Sequence, residues 1–195
     1  MKEAFSDDNM IEIKIMGLGG QGAVMGAEIL ADAAFRDGNW SQMIPLYGGV
    51  RRGAVVQSFV RIDKKLITIH NAILNPDIVV VLDHKLQITY PITQGLKENG
   101  IAILNTQQAP DEIDLGKKLS KIAMVDATKI STEFFGPRPI PITNTTMLGA
   151  FSKATGLVNL EALYPCIRER FPGKTGEMNV EMATRGFEEV EVKEV

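Results

Sequence analysis

The sequence predicts an α/β fold, a three-layer sandwich on a mixed, mostly parallel sheet with an early β-hairpin and a helical C-terminal third. Three observations carry this. Ile11-Glu12-Ile13-Lys14-Ile15 alternates as a strand and runs into Met16-Gly17-Leu18-Gly19-Gly20-Gln21-Gly22, a glycine-rich turn that opens a helix of small residues. Ile78-Val79-Val80-Val81-Leu82 is apolar without alternation, the mark of a central strand covered on both faces. Phe135-Gly136-Pro137-Arg138-Pro139-Ile140-Pro141-Ile142 fits neither a helix nor a sheet interior, so it reads as an extended crossing into a helical remainder.

The elements follow in order. The first helix is expected from about Gln21 to Arg36, burying Val24, Ile29 and Leu30, with alanines that let it approach a sheet and Gly38 ending it. Residues 54–62 and 66–70 flank Asp63-Lys64-Lys65 and read as a β-hairpin, which makes the sheet mixed. Asp83 caps the end of the central strand. A helix around Tyr90 to Glu98, a turn at Asn99-Gly100 and a strand from Ile101 to Leu104 form another unit, and Ile122 to Val125 adds a short strand ending in Asp126-Ala127-Thr128. Asn144 to Phe151 begins a helix with cap-capable side chains, and residues 160–170 and 176–188 complete a helical tail split by Pro172-Gly173-Lys174. Residues 1–10 read as a flexible tail and 11–195 as a single domain, since a cut at the proline segment would strip the early helices of a partner layer.

Composition narrows the function. A chain of 195 residues, 45% hydrophobic and 23% charged, can bury a sizeable core. A net charge of -3 argues against a nucleic-acid surface. The acidic N-terminus is not a signal peptide, and no apolar run approaches the roughly 18 residues a membrane span needs, so a soluble, cytoplasmic protein is expected. Cys166 alone can form neither an internal disulfide nor an iron-sulfur site, and with His70 and His84 as the only histidines no metal centre is expected. Within Leu163-Tyr164-Pro165-Cys166-Ile167, the thiol reads as a small core residue.

A strand, a glycine turn and a helix start bring free backbone N–H groups and the positive end of a helix dipole to one point, where a phosphate can sit. The same glycines also permit tight strand-helix packing. A dinucleotide site would add an acid about 20 residues on. Met43-Ile44-Pro45-Leu46-Tyr47-Gly48-Gly49-Val50-Arg51-Arg52-Gly53 offers none there. Arg51 and Arg52 suit phosphate oxygens, pointing to a polyphosphorylated ligand; as a solvated or subunit-interface pair they would have another role.

The glycine loop, Tyr47-Gly48 with Arg52-Gly53, Asn75-Pro76-Asp77, Asp126-Ala127-Thr128, Asn144-Thr145-Thr146-Met147-Leu148-Gly149-Ala150, and late Gly173-Lys174 with Asn179 together resemble the gamma subunit of 2-oxoacid:ferredoxin oxidoreductases, of the pyruvate:ferredoxin oxidoreductase type. The resemblance spans nearly the whole chain in order. Its combination of glycine loop, Tyr-Gly-x-x-x-Arg-Gly and Asn-x-x-Met-Leu-Gly is far more specific than any one part. Ala54 and Arg51 depart from the family pattern of a second glycine after Arg-Gly and an acid before the arginine, which leaves the 2-oxo acid open.

The resemblance implies a complex that converts a 2-oxo acid and coenzyme A to an acyl-CoA and CO2, passing electrons to ferredoxin or a similar acceptor. Thiamine diphosphate and 4Fe-4S clusters are then expected on partner subunits of alpha, beta and delta type, and coenzyme A at this chain, which by the same resemblance carries no catalytic side chain. Carried across, Gly17, Gly19, Gly20, Gln21 and Gly22 would meet the coenzyme A phosphates, Arg51 or Arg52 would neutralise charge, and Asn144 would hydrogen-bond the ligand. The alternative is a non-catalytic assembly subunit with an unoccupied loop. A self-sufficient nicotinamide or flavin enzyme fits worst, for want of the acid and of a converging His or Tyr constellation. Candidate partner contacts include Phe134, Phe135 and Ile140 of the proline segment.

Overall fold

Alternating isoleucines give β1 (Ile11–Leu18) one face buried against helices, and its continuation into glycines hands the chain to α1 (Ala23–Arg36). The computed structural model describes residues 10–45, 53–108 and 113–195, so residues 1–9 of the expected tail fall outside them. After α1 come β2 (Trp40–Pro45), β3 (Val55–Asp63), β4 (Ile78–Val81), α2 (Leu86–Thr89), β5 (Gly100–Asn105) and β6 (Leu119–Val125). The remainder is α3 (Ala127–Phe135), α4 (Asn144–Thr155), α5 (Leu160–Arg170), α6 (Lys174–Glu189) and β7 (Glu191–Glu194).

The strands form one sheet in the order β2-β3-β1-β4-β5-β6-β7. The inner strands β1, β4, β5 and β6 are parallel, while β3 runs antiparallel to both β1 and β2, and β7 antiparallel to β6. The sheet is thus mixed and mostly parallel. Every residue of β4 is buried, as a strand covered on both faces requires. One face packs Ile13, Ile15, Val60, Ile78 and Ile103 against α1 and the helices from α3 to α6. The other face, with Met16, Val79, Val81, Ala102 and Leu104, is covered thinly by Leu86 of α2 and by Ile92 and Leu96 in turns.

The hairpin expected between residues 54–62 and 66–70 is not formed. β3 pairs with β1 on one edge and with β2 on the other, so no edge remains for residues 66–70. The hairpin partner is β2. The segment 69–71 is held over the second face by side chains instead: Gln42 Nε2 donates to the Ile69 carbonyl at 3.0 Å, and Arg61 Nη2 to that of Asn71 at 2.8 Å. The helix expected around Tyr90 to Glu98 is also absent. Tyr90 precedes Pro91 and is extended (φ -141, ψ 142), which stops α2 at Thr89, and Gly95 turns the chain at φ 77. α1 starts at Ala23 rather than Gln21, with Val24 only half-buried.

The C-terminal helices match the expected periods, but the chain ends in the unforeseen strand β7, whose charged Glu191, Lys193 and Glu194 suit a sheet edge. α4 and α6 meet at backbone distance: a Cβ on Gly149 would lie 1.8 Å from the Ala183 carbonyl oxygen, and one on Gly186 2.0 Å from that of Thr146. Much of the Asn-x-x-Met-Leu-Gly motif is therefore a helix-packing device. Phe134 and Phe135 pack against the helical core instead of standing free. Among the described residues no helix is long and apolar enough to cross a membrane.

Candidate functional site: the glycine loop at the carboxyl edge of the sheet

Parallel strands deliver their carboxyl ends to one edge, and there the chain collects the glycine loop after β1, Asp83 after β4, Asn105 closing β5 and Asp126 after β6. Ligands of open α/β sheets bind at this edge, where neighbouring connections diverge. Here they diverge between β1 and β4, since β1 leads through α1 to the β2-β3 side.

The loop's backbone is only partly free. Gly19 N–H donates to the Ala54 carbonyl at 2.8 Å, and Gly53 N–H returns to Gly19 at 3.3 Å, extending the β1-β3 ladder into the turn. Gln21 N–H donates to the Leu18 carbonyl at 3.0 Å. Gly20 and Gly22 make no N–H hydrogen bond with another described residue. Gly20 is the exposed tip between buried Gly19 and buried Gln21, and its φ of +107 is one that L side chains rarely adopt. Gly22 caps α1 from the left-handed region at φ 83, without a side-chain cap and with no acid in the helix's first turn. The first intrahelical bond runs from Gly26 N–H to Gly22. The opening turn's amides and the positive end of the helix dipole are thus uncompensated by any carboxylate of the first turn.

The side chain of Gln21 folds beneath the loop, fully buried. Its Oε1 accepts the Leu18 N–H at 2.7 Å, and its Nε2 donates to Asp83 Oδ2 at 2.6 Å. Asp83 Oδ1 accepts the Lys85 N–H at 2.9 Å. Gly17 makes the room: a Cβ there would stand 3.0 Å from both Gln21 Oε1 and Leu82 Cβ. Gln21 therefore shapes the loop from beneath, with its side chain buried and its N–H bonded within the loop. Gly17 and Gly19 likewise serve space and pairing.

Asn144 does reach the loop. Its Nδ2 donates to the Gly22 carbonyl at 3.3 Å, and a Cβ on Gly22 would fall 2.4 Å from that nitrogen. Its Oδ1 accepts the Thr145 N–H at 2.9 Å, leaving one amide hydrogen uncommitted. Thr143 precedes α4 without a side-chain cap; its hydroxyl donates to the Leu82 carbonyl, which also accepts from Asn105 Nδ2. Ile140 of the proline segment walls the loop, with Cγ2 3.5 Å from where a Gly20 Cβ would sit. Arg51 and Arg52 lie outside the described residues. The sequence reading missed Asp83 as partner of Gln21 and Ile140 as wall. A strand's carboxyl end was the available signal for the first.

A cavity of 450 Å³ opens at the same edge beyond β5 and β6, lined by Thr106, Gln107, Asp126, Lys129, Glu189 and Glu191. Three carboxylates against one ammonium suit a polyphosphate poorly, whereas the glycine loop presents none. Cys166 is buried in α5, where burial pushes the thiol up from its usual range and away from nucleophilic use. Among the described residues no three His, Cys, Asp or Glu side chains gather as a metal would need.

The family model of pyruvate ferredoxin/flavodoxin oxidoreductase matches residues 12–189. The chain is 49% identical over 188 residues to the pyruvate/ketoisovalerate oxidoreductases common subunit gamma of Pyrococcus abyssi, covering 95% of this chain and 100% of that protein. It is 47% identical over 182 residues to pyruvate synthase subunit PorC of Methanothermobacter thermautotrophicus, covering 93% and 97%. The crystal structure of pyruvate oxidoreductase subunit PORC from Thermotoga maritima superposes with a TM-score of 0.78 at 37% identity, over 96% of this chain and 100% of that one.

Proposed function

The chain belongs to the pyruvate ferredoxin/flavodoxin oxidoreductase family as a gamma subunit of a 2-oxoacid:ferredoxin oxidoreductase, and from that premise we propose that its glycine loop holds the phosphates of coenzyme A. The observation that carries the reading is the exposed Gly20 tip beside an acid-free helix start, with the Asp83 carboxylate buried and bonded beneath. Those features fit a polyphosphate ester. They offer nothing to a ribose clamp.

In this reading Gly20, Gly22 and the first turn of α1 bind phosphate through backbone N–H groups. Arg51 or Arg52 adds charge, and the uncommitted amide hydrogen of Asn144 adds a donor. Holding the nucleotide end at the sheet edge leaves the thiol end free to reach a reacting centre on another subunit. Thiamine diphosphate and 4Fe-4S clusters on partner subunits of alpha, beta and delta type supply the decarboxylation and electron-transfer chemistry. The 2-oxo acid loses CO2, the acyl group passes to the coenzyme A sulfur, and the electrons leave to ferredoxin or a similar acceptor. Residues 11–195 act as one unit in a cytoplasmic complex.

A second reading, an assembly subunit whose loop stays empty, draws on the burial of Gln21 and Asn144, whose polar atoms are largely spent inside the fold. One experiment separates the two. In the assembled complex Gly20→Val puts a β-branched side chain at a positive φ on the loop tip, and the KM for coenzyme A rises about tenfold or more, a loss of the size expected for one charged hydrogen bond. An unchanged KM with assembly intact selects the second reading.

A further inference from the structure

The buried pair Gln21 and Asp83 joins the glycine loop to the strand across the point where the connections diverge, and nothing in the family's name or the loop's motif assigns it a role. We infer that Asp83 is a positioning residue, which acts through Gln21 to hold the loop amides toward a phosphate ester. The inference rests on the coenzyme A reading above. Its geometry is a closed relay: Leu18 N–H to Gln21 Oε1 at 2.7 Å, Gln21 Nε2 to Asp83 Oδ2 at 2.6 Å, and Lys85 N–H to Asp83 Oδ1 at 2.9 Å. Asp83 is 4% exposed and Gln21 fully buried, so water cannot replace a lost partner cheaply. The carboxylate fixes which way the Gln21 amide points, because only its nitrogen can donate to Asp83. With the oxygen thereby turned to Leu18 N–H, residues 18–21 close on themselves and lift Gly20 to the surface.

The relay's polarity also matters. The neutral member sits under the loop, and the negative charge lies one hydrogen bond further away, where it opposes a bound phosphate less. A carboxylate directly beneath Gly20 could still accept the Leu18 N–H, but it could not donate to Asp83, and its charge would work against the ligand.

The relay can be rewritten, which gives the test. In Asp83→Asn an amide must face either the Gln21 nitrogen or the Lys85 N–H with its own donor. In Gln21→Glu two carboxylates face each other. The double variant Gln21→Glu with Asp83→Asn satisfies every group again: Glu accepts from Leu18 N–H and from the Asn amide, and the Asn oxygen accepts from Lys85 N–H. The assembled complex is assayed for melting temperature, kcat and KM for coenzyme A, with Ser152→Ala as a control that removes a buried hydrogen bond to the Val158 carbonyl at the far end of α4. Each single variant should raise the KM about tenfold with kcat at saturating coenzyme A changed far less, as expected for a lost buried hydrogen bond to a charged group. The double variant should regain the melting temperature fully and the KM only in part, because the charge has moved toward the ligand. Ser152→Ala should lower the melting temperature alone.

Single variants that melt lower yet keep the wild-type KM overturn the inference, as does a double variant no better than the worse single. If a single variant fails to assemble, the double variant decides by the same two readouts. Gly20→Val in parallel separates the two levels of failure. A raised KM there with an unmoved KM in Asp83→Asn removes only the role of Asp83, whereas an unmoved KM in Gly20→Val removes the coenzyme A site and this inference together.

Discussion

Gln21 shows how far away in sequence the partner of a motif residue can lie. It stands between two glycines of an anion-binding pattern, yet its side chain turns inward to Asp83, 62 residues on. The glycines were legible because strand, turn and helix are local, and because Gly20 and Gly22 need positive φ. Gly17 has a different reason, the 3.0 Å approach of a would-be Cβ to Gln21 and Leu82. Gly17→Ala should therefore cost about 1–3 kcal/mol of stability through overpacking, read in denaturant unfolding, and a neutral effect would refute the packing role. Cys166 was legible from its apolar helical setting. Its 1% exposure and raised thiol pKa predict negligible alkylation of the folded chain at neutral pH, with full labelling only after unfolding.

At the level of elements, strands fully covered on both faces and helices with strong periods were readable, since burial pattern alone defines them. Residues 66–70 were not, because Leu66-Ile67-Thr68-Ile69-His70 alternates like a strand and only the occupancy of both β3 edges denies it a ladder. The pairing of β7 with β6 depends on where α6 deposits the chain end, which no local pattern encodes. The α4-α6 contact rests on Gly149 and Gly186. Gly149→Ala, whose Cβ would lie 1.8 Å from a backbone oxygen, should cost more than about 3 kcal/mol or prevent soluble expression, by the overpacking mechanism at its severe end. Wild-type yield and melting temperature in that variant would contradict the geometry.

Arg185 ties α6 to α3 through Glu133, and Arg168 ties α5 to α6 through Glu177. Each guanidinium, hydrogen-bonded to the carboxylate, holds it below its usual range. A carboxyl depressed in the folded state stabilises above its unfolded pKa of about 4.3, and that contribution is lost as pH falls through the lower folded value. Arg185→Met should thus flatten the fall of melting temperature between about pH 5 and about pH 3 relative to wild type, modestly because the pair is exposed. Identical acid limbs would show that the pair is thermodynamically silent.

For the molecule as a whole, the two faces of the sheet differ. The helical face is laced with ion pairs such as Arg36 with Glu169 and Arg170 with Glu28 and Asp32. The layer over the second face instead leaves Leu66, Leu74 and Ile88 exposed. The chain carries one cysteine and two histidines, a poor supply for cluster ligation or carbanion chemistry of its own. Alone, it should turn over no 2-oxo acid, and steady ferredoxin reduction by the purified, cluster-free chain would contradict its place as a subunit.

The claim that the glycine loop receives coenzyme A is tested most directly by hydrogen exchange of the assembled complex with and without coenzyme A. The account predicts added protection concentrated at Gly20 and from Gly22 through Met25, whose backbone N–H groups precede the first intrahelical bond, and little change at Gly19 and Gln21, whose N–H groups are already bonded at 2.8 and 3.0 Å. Saturating coenzyme A that leaves exchange across residues 18–26 unchanged, while protecting another segment or subunit, would contradict it.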